Sequence, residues 1–248
     1  MARVLTLLDQ VRLRIAPLSR AAPIAVGSQR GMMSLSFDDF PISAWTEGGR
    51  VMADHGVHAT YYVSGSLCGQ VHDDMRQFEV AHLQAVAEAG HEIGCHTFDH
   101  ISALKARAAE FHASIDRNAH WVAERLDGYA METFAYPFGD WSIGTKRSVA
   151  KRFKCARGVL RGVNNGKVDR AGLVSIGLES KSLATFDMEA VAVKAAAQGA
   201  WLVLYGHDVG DRSSPYGCSP KQLERMILAA KAAGLDILPV KDALARIH

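Results

Sequence analysis

Short apolar runs rich in β-branched and aromatic residues alternate along this chain with longer segments of helical periodicity. The runs that predict strands lie at 32–37, 59–63, 92–96, 133–136, 154–159, 201–205 and 236–239. Helical patterns occupy the intervals at 43–55, 80–89, 104–126, 141–153, 188–198 and 220–233. Strands that alternate with helices are typical of a parallel sheet, which can be open or closed into a barrel. We therefore predict an α/β fold built on about seven parallel strands.

The length and charge of the chain fit one enzyme-sized domain. Its 248 residues suffice for a barrel-sized domain at 31–248, preceded by an N-terminal extension at 1–30 that we expect to be helical. The formal net charge is +2 with both signs interspersed, so no nucleic-acid-binding surface is predicted. Charged residues interrupt every apolar stretch of the extension. We therefore expect no signal peptide, no membrane span and a cytoplasmic protein.

Residues whose side chains could act in catalysis or metal binding follow four of the predicted strands. They are the pair Asp38-Asp39 and the segments 96–100, 136–140 and 206–208. The carboxyl ends of parallel strands lie on one rim of an α/β fold, and binding sites form there. We therefore expect these four segments to converge.

The second of these segments contains a histidine pair that could bind a metal. His96 and His100 are four residues apart, which on a helical turn would place both imidazoles on one face. Asp39 could supply a third ligand, since two histidines and a carboxylate form a known catalytic zinc arrangement, and Asp38 would then be free to act as a base. The same residues also allow plainer interpretations. The histidine spacing could arise by chance, and the aspartates could cap a helix or form a turn before Pro41.

Four motifs occur in a fixed order: SFDDF at 36–40, HTFDH at 96–100, FAYPFG at 134–139 and YGHD at 205–208. In this order and at these separations they resemble the motif set of the polysaccharide deacetylases, the family four carbohydrate esterases that include chitin and peptidoglycan deacetylases. The resemblance spans about 32–208. It implies a distorted (β/α) barrel and a hydrolase that removes N-acetyl groups from amino sugars of a polysaccharide or glycan precursor.

The resemblance also implies roles for individual residues. A divalent metal, usually zinc, with a bound water as the nucleophile, would be held by three side chains: Asp39, His96 and His100. Asp38 would be the general base and His207 the general acid. The backbone N–H of Phe138 would help the metal to stabilise the oxyanion.

Four features depart from the family pattern. The family's own fourth motif, commonly an acidic residue near a tryptophan that tunes the late histidine, has no clear match, and Asp169 and Glu179 are candidates only. Phe40 stands where glycine is common, which would narrow the groove or reshape the loop. Tyr205 replaces a leucine in the wall of the acetyl pocket. Ala135 stands where an arginine usually pairs with the general base.

The missing arginine predicts a cation from another strand, because a buried carboxylate without a partner would pick up a proton. Alternation along 154–159 would point Arg157 into the barrel, so we predict Arg157 as the substitute partner of Asp38. Arg161 in the following loop is the second choice. An ordinary surface arginine with no role in the site is the alternative.

Two other functions remain open from the sequence. One is an amidase that acts on a small cyclic or acyclic amide, which would favour a closed pocket over an open groove. The other is a catalytically silent carbohydrate-binding protein. The joint presence of a base and an acid argues against the second, because binding alone requires neither.

Overall fold

The computed structural model of the chain describes residues 19–27, 30–179, 183 and 186–247. Within these residues seven parallel strands form a barrel: β1 (Met32–Asp38), β2 (Thr60–Val63), β3 (Glu92–Cys95), β4 (Thr133–Ala135), β5 (Cys155–Arg161), β6 (Leu173–Gly177) and β7 (Trp201–Gly206). Each strand pairs with the next along the chain, and β7 pairs with β1 to close the ring. The predicted α/β barrel of about seven parallel strands is confirmed.

The ring contains six of the predicted strands and one that the sequence pattern did not indicate. The predicted strand at 236–239 is reduced to Asp236–Ile237, which pairs only with Met32 and Met33 of β1. Strand β6 takes the seventh place in the ring. Its five residues, LVSIG, form only a short apolar run that Ser175 and Gly177 interrupt. The hydroxyl of Ser175 donates to the carbonyl of Gly158 on β5 at 2.6 Å.

Eight described helices surround or close the barrel: α1 (Ile42–Thr46), α2 (Gly48–Asp54), α3 (Val80–Glu88), α4 (Ala108–Ala123), α5 (Ile143–Arg152), α6 (Met188–Ala197), α7 (Pro220–Ala232) and α8 (Val240–Ala245). The predicted helix at 43–55 is broken into two at Glu47. Serine side chains cap α5 and α7, where Ser142 and Ser219 each accept from the N–H three residues later. Within the described residues, no helix is both long and apolar enough to cross a membrane.

The N-terminal extension is only partly described, since 1–18 and 28–29 lie outside the described residues. The helix predicted there needs correction for Pro23–Val26, which forms a strand antiparallel to Gly166–Asp169. Ladder hydrogen bonds to that strand replace helical ones. A buried ion pair of 2.9 Å between Lys146 and Asp169 lies beside it, and Asp169 also accepts from the backbone N–H groups of residues 21 and 22.

Side-chain alternation along β1 separates the hydrophobic core from the chemistry. Leu35 and Phe37 are fully buried in the main apolar cluster, which lies between the barrel and its helices. Ser36 and Asp38 therefore point into the barrel. Because β1 ends at its Asp38, the carboxylate lies at the upper rim, at the carboxyl ends of the strands.

Candidate functional site

The loop after β1 turns through two left-handed residues that are not glycine, Asp39 with φ of 63° and Phe40 with φ of 68°. The Phe40 ring is fully buried, stacks on Phe78 at 4.8 Å and contacts Tyr61 at 4.7 Å. Burial of this ring offsets the cost of the left-handed backbone. The side chain thus keeps the bend that glycine would allow and packs into the core, so it does not narrow a groove.

Asp39, His96 and His100 lie together at the rim. Oδ1 of Asp39 is 3.2 Å from Nε2 of His100 and 3.5 Å from Nε2 of His96, and one ligand atom from each of the three residues lies within 4.8 Å of the others. The segment between the histidines is a loop with positive φ at Thr97 and His100. The prediction of a helical turn between the two histidines is therefore wrong, although their imidazoles do lie close together.

The chemistry of these three groups fits a divalent cation. Nδ1 of His96 donates to the carbonyl of Ala135 at 2.8 Å, which leaves its Nε2 as the free ligand atom. Burial lowers the pKa of both His96 and His100 to about 4, so both rings are neutral at pH 7 and able to ligate. Oδ1 of Asp39 is buried and has no hydrogen-bond partner among the described residues. A carboxylate oxygen left in this state is expected of a metal ligand.

Asp38 is balanced by a cation of the chain itself. Arg157 is fully buried on β5, and its Nη2 donates to Oδ1 of Asp38 in an ion pair across the barrel. Nε of the same guanidinium donates to Oγ of Ser36 at 3.3 Å. Burial is the largest single effect and would raise the pKa of Asp38, but the charge and hydrogen bond of Arg157 together with His96 and His207 outweigh it and hold that pKa below its ordinary value. Arg161, the second choice, is exposed and lies over the ring of Phe186 at 5.2 Å instead.

His207 and Phe138 border the same centre. Nε2 of His207 lies 3.9 Å from Oδ2 of Asp39, and its buried Nδ1 has no hydrogen-bond partner among the described residues. Both carboxylate oxygens of the neighbouring Asp208 accept hydrogen bonds from Ser214. Phe138 has φ of 61°, and its ring packs on that of His100 at 4.6 Å.

The contacts of three residues at the centre could not be predicted from the sequence, although Tyr205 lies in one of the recognised motifs. Tyr62 and Tyr205 each place a ring 5.0 Å from the guanidinium carbon of Arg157. His72 arrives on a short hairpin formed by 71–76, and its ring lies 5.6 Å from that of His100. These residues are far apart in sequence, and they become neighbours only because the barrel closes.

Comparisons with known proteins give one family match and one curated relative. The profile of the family described as polysaccharide deacetylase matches residues 25–155, just over half of the chain. A chitin deacetylase from Colletotrichum lindemuthianum is 24% identical over 128 residues, which are 50% of this chain and 50% of that protein. The chain therefore spans about half the length of the curated relative that it matches.

Two solved structures illustrate the shared fold. A family 4 acetyl xylan esterase from Clostridium thermocellum is 18% identical with a TM-score of 0.58, over 86% of this chain and 90% of that one. A family 4 pseudoenzyme from Bacillus anthracis is 13% identical with a TM-score of 0.57, over 87% and 66% of the respective chains. Proteins of this shape thus include both an enzyme and a pseudoenzyme, so function has to be argued from the site.

Proposed function

Because the chain belongs to the polysaccharide deacetylase family, we propose that it is a metal-dependent hydrolase that removes N-acetyl groups from amino sugars of a polysaccharide or glycan precursor. One observation carries the proposal. A cluster of three possible ligands with an unpartnered carboxylate oxygen lies beside a second carboxylate that a buried arginine holds ionised.

The cation would be held by Asp39, His96 and His100. Zinc suits this set of two imidazoles and one carboxylate, which leaves a coordination position open for substrate. Bound there, the ion would polarise the acyl carbonyl and lower the pKa of water to about 7. The observation that supports this assignment is the buried Oδ1 of Asp39, which no described residue satisfies.

The residues around the cation would move the protons. Asp38 is ionised at neutral pH and would take the proton of the attacking water. His207 faces the same centre through Nε2 and would protonate the leaving amine, since an amide nitrogen leaves poorly without a proton. The backbone N–H of Phe138 would donate to the developing oxyanion, a contact worth about 3 kcal/mol where single donors of this kind have been removed.

The rim supports a carbohydrate over a small amide as the substrate. The side chains of His100 and His207 are 11% and 19% exposed, so the centre opens to solvent. Two aromatic rings stand at its edge, Phe138 at 65% and Tyr216 at 48% exposure, and Tyr216 packs beside His207 at 5.5 Å. Exposed ring faces next to an open site suit the apolar face of a sugar.

Acetate release from chitin oligomers, measured before and after chelation, tests the proposal. We expect turnover that the chelator abolishes and that added zinc restores. Hydrolysis of a small cyclic amide with no acetate released from oligomers would make the protein an amidase. Binding of oligomers by the zinc-loaded protein without hydrolysis would make it a silent carbohydrate-binding protein.

A further inference from the structure

Arg157 reaches from β5 across the barrel interior to β1, and hydrogen bonds account for only part of its environment. Nη2 donates to Asp38, and Nε donates to Ser36 at the long distance of 3.3 Å. Nη1 is buried and has no hydrogen-bond partner among the described residues. The directional contacts therefore fix one edge of the guanidinium and leave the rest of the plane unconstrained.

Two tyrosine rings contact the guanidinium. The ring centroids of Tyr62 and Tyr205 both lie 5.0 Å from Cζ of Arg157, within the range of a cation–π contact. Tyr62 is on β2 in register with Asp38, and Tyr205 is on β7 in register with Ser36. Because β2 and β7 flank β1 on its two sides, the rings approach the guanidinium from both sides of its acceptors.

We propose that Tyr205 is a positioning residue that holds Arg157 against Asp38 through its ring face. This inference rests on the proposed function, in which Asp38 is the base. The ring of Tyr205 limits the tilt of the guanidinium, and so it keeps Nη2 directed at the carboxylate while water is being deprotonated. Tyr205 contributes to turnover through Arg157 and has no direct role in binding the substrate.

Tyr205 is a better probe of this arrangement than Tyr62. Tyr62 is fully buried, and its ring carbons lie 2.4 and 2.5 Å from where a Cβ on Gly94 would be, so its replacement would disturb the barrel interior. Tyr205 is only partly buried. Leucine, the residue that the family resemblance implies here, has no ring face. Phenylalanine keeps the face and removes only the hydroxyl.

A double-mutant cycle separates this role from a wall of the acyl pocket. We expect Tyr205→Leu to lower kcat on chitin oligomers about tenfold with KM changed less than twofold, and Tyr205→Phe to keep kcat within threefold of wild type. In the Arg157→Ala background, Tyr205→Leu should change kcat less than twofold. A tenfold loss that persists in that background, a main effect on KM, or equal losses in the two Tyr205 variants would overturn the proposal.

The same cycle is measured by urea unfolding of the metal-free proteins, which decides the contact when turnover of Arg157→Ala is too slow to follow. If the two variants remove the same contact, the sum of their individual midpoint shifts exceeds the shift of the double variant. Additive shifts refute the contact. A wild-type protein that releases no acetate would instead contradict the proposed function, and the unfolding cycle would still report whether Tyr205 and Arg157 are coupled.

Discussion

Asp38 and Asp39 are neighbours in sequence but lie in opposite electrostatic environments. Burial would raise the pKa of Asp38, but the buried guanidinium of Arg157, with smaller contributions from His96 and His207, keeps it below its ordinary value. Burial raises the pKa of Asp39, even though His96 and His207 act in the other direction. A cation bound beside Asp39 would supply the compensation that the chain does not. One carboxylate is thus already balanced, and a bound cation would balance the other.

Replacing Asp39 tests that requirement directly. We expect wild type to bind one divalent ion per chain and Asp39→Ala to bind well below that, because two imidazoles remain without their anionic partner. Elemental analysis after dialysis against zinc measures the difference. Asp74→Ala, which removes an exposed carboxylate near the same rim, is the matched control and should keep full stoichiometry. Undiminished zinc in Asp39→Ala would exclude it as a ligand.

His207 should affect turnover and not metal content. We expect His207→Ala to lower kcat by roughly 10² to 10⁴, as for removal of a proton donor, with zinc stoichiometry unchanged. Steady-state kinetics on chitin oligomers and elemental analysis of the same preparation give both readings. Loss of zinc in this variant would make His207 a ligand, whereas near-normal turnover would remove it from the mechanism.

The residues that follow strands could be predicted, and strand alternation also indicated Arg157, but the aromatic rings that contact Arg157 could not be predicted. Asp39, His96 and His100 are visible in the sequence because metal-binding residue types follow two predicted strands. The ring contacts of Tyr62 and Tyr205 with a third strand depend on which strands become neighbours when the barrel closes. Sequence spacing carries no information about that closure.

At the scale of elements, the pairing of β4 with β5 explains how an arginine can come from a different strand. Ala135 and Arg157 are register partners on these parallel strands, and registered residues of adjacent strands project from the same side of a sheet. A side chain on either strand therefore starts from the same side of the barrel wall. We infer that β5 carries the cation that β4 lacks.

This inference predicts the outcome of moving the arginine. We expect Arg157→Ala to lower kcat by about 10² with zinc retained, and the double variant Ala135→Arg/Arg157→Ala to recover a large part of it. Arg161→Ala is the control, because its exposed arginine contacts Phe186 outside the site. If rates stay high in both single arginine variants, Asp38 is held by another group.

Most elements could be read from hydrophobic periodicity, and the exceptions have physical causes. Strand β6 was not predicted because Ser175 and Gly177 interrupt its apolar run, which is only five residues long. The strand predicted at 236–239 is apolar because it packs beneath β1, without a place in the ring. Periodicity reports burial, and it does not distinguish these two situations.

At the scale of the whole molecule, a buried polar network ties the C-terminus to the lower barrel. Glu92 of β3 is fully buried and accepts from Thr60 at 2.7 Å and from the backbone N–H of Lys241 at 2.9 Å. Thr60 in turn accepts from the N–H of Val240 at 2.9 Å. The start of α8 is thereby bonded to two barrel strands, so the barrel and this helix should unfold together.

His91 links the stability of this unit to pH. Its Nδ1 accepts from the backbone N–H of Ala59 at 3.0 Å, and the rings of Trp45, Tyr61 and His58 lie 5.3 to 5.6 Å away. Burial, with a smaller contribution from His58, lowers the pKa of His91 from 6.5 to about 4. Protonation would break the bond to Ala59 and place a charge among these rings, so the folded state resists it.

The unfolded chain therefore binds more protons than the folded chain between pH 6.5 and about 4. Stability must fall as the pH is lowered through that window, by up to about 3 kcal/mol from this one group.

His91→Asn keeps an acceptor near the N–H and cannot titrate, so its free energy of unfolding in urea should decline less steeply with acid than that of wild type. His120→Asn, on the exposed face of α4, is the control. All proteins are compared metal-free. His96 and His100 titrate in the same window, and they contribute equally to the acid dependence of stability in each protein. Parallel declines for His91→Asn and wild type would show that His91 is protonated as readily in the fold as in the unfolded chain.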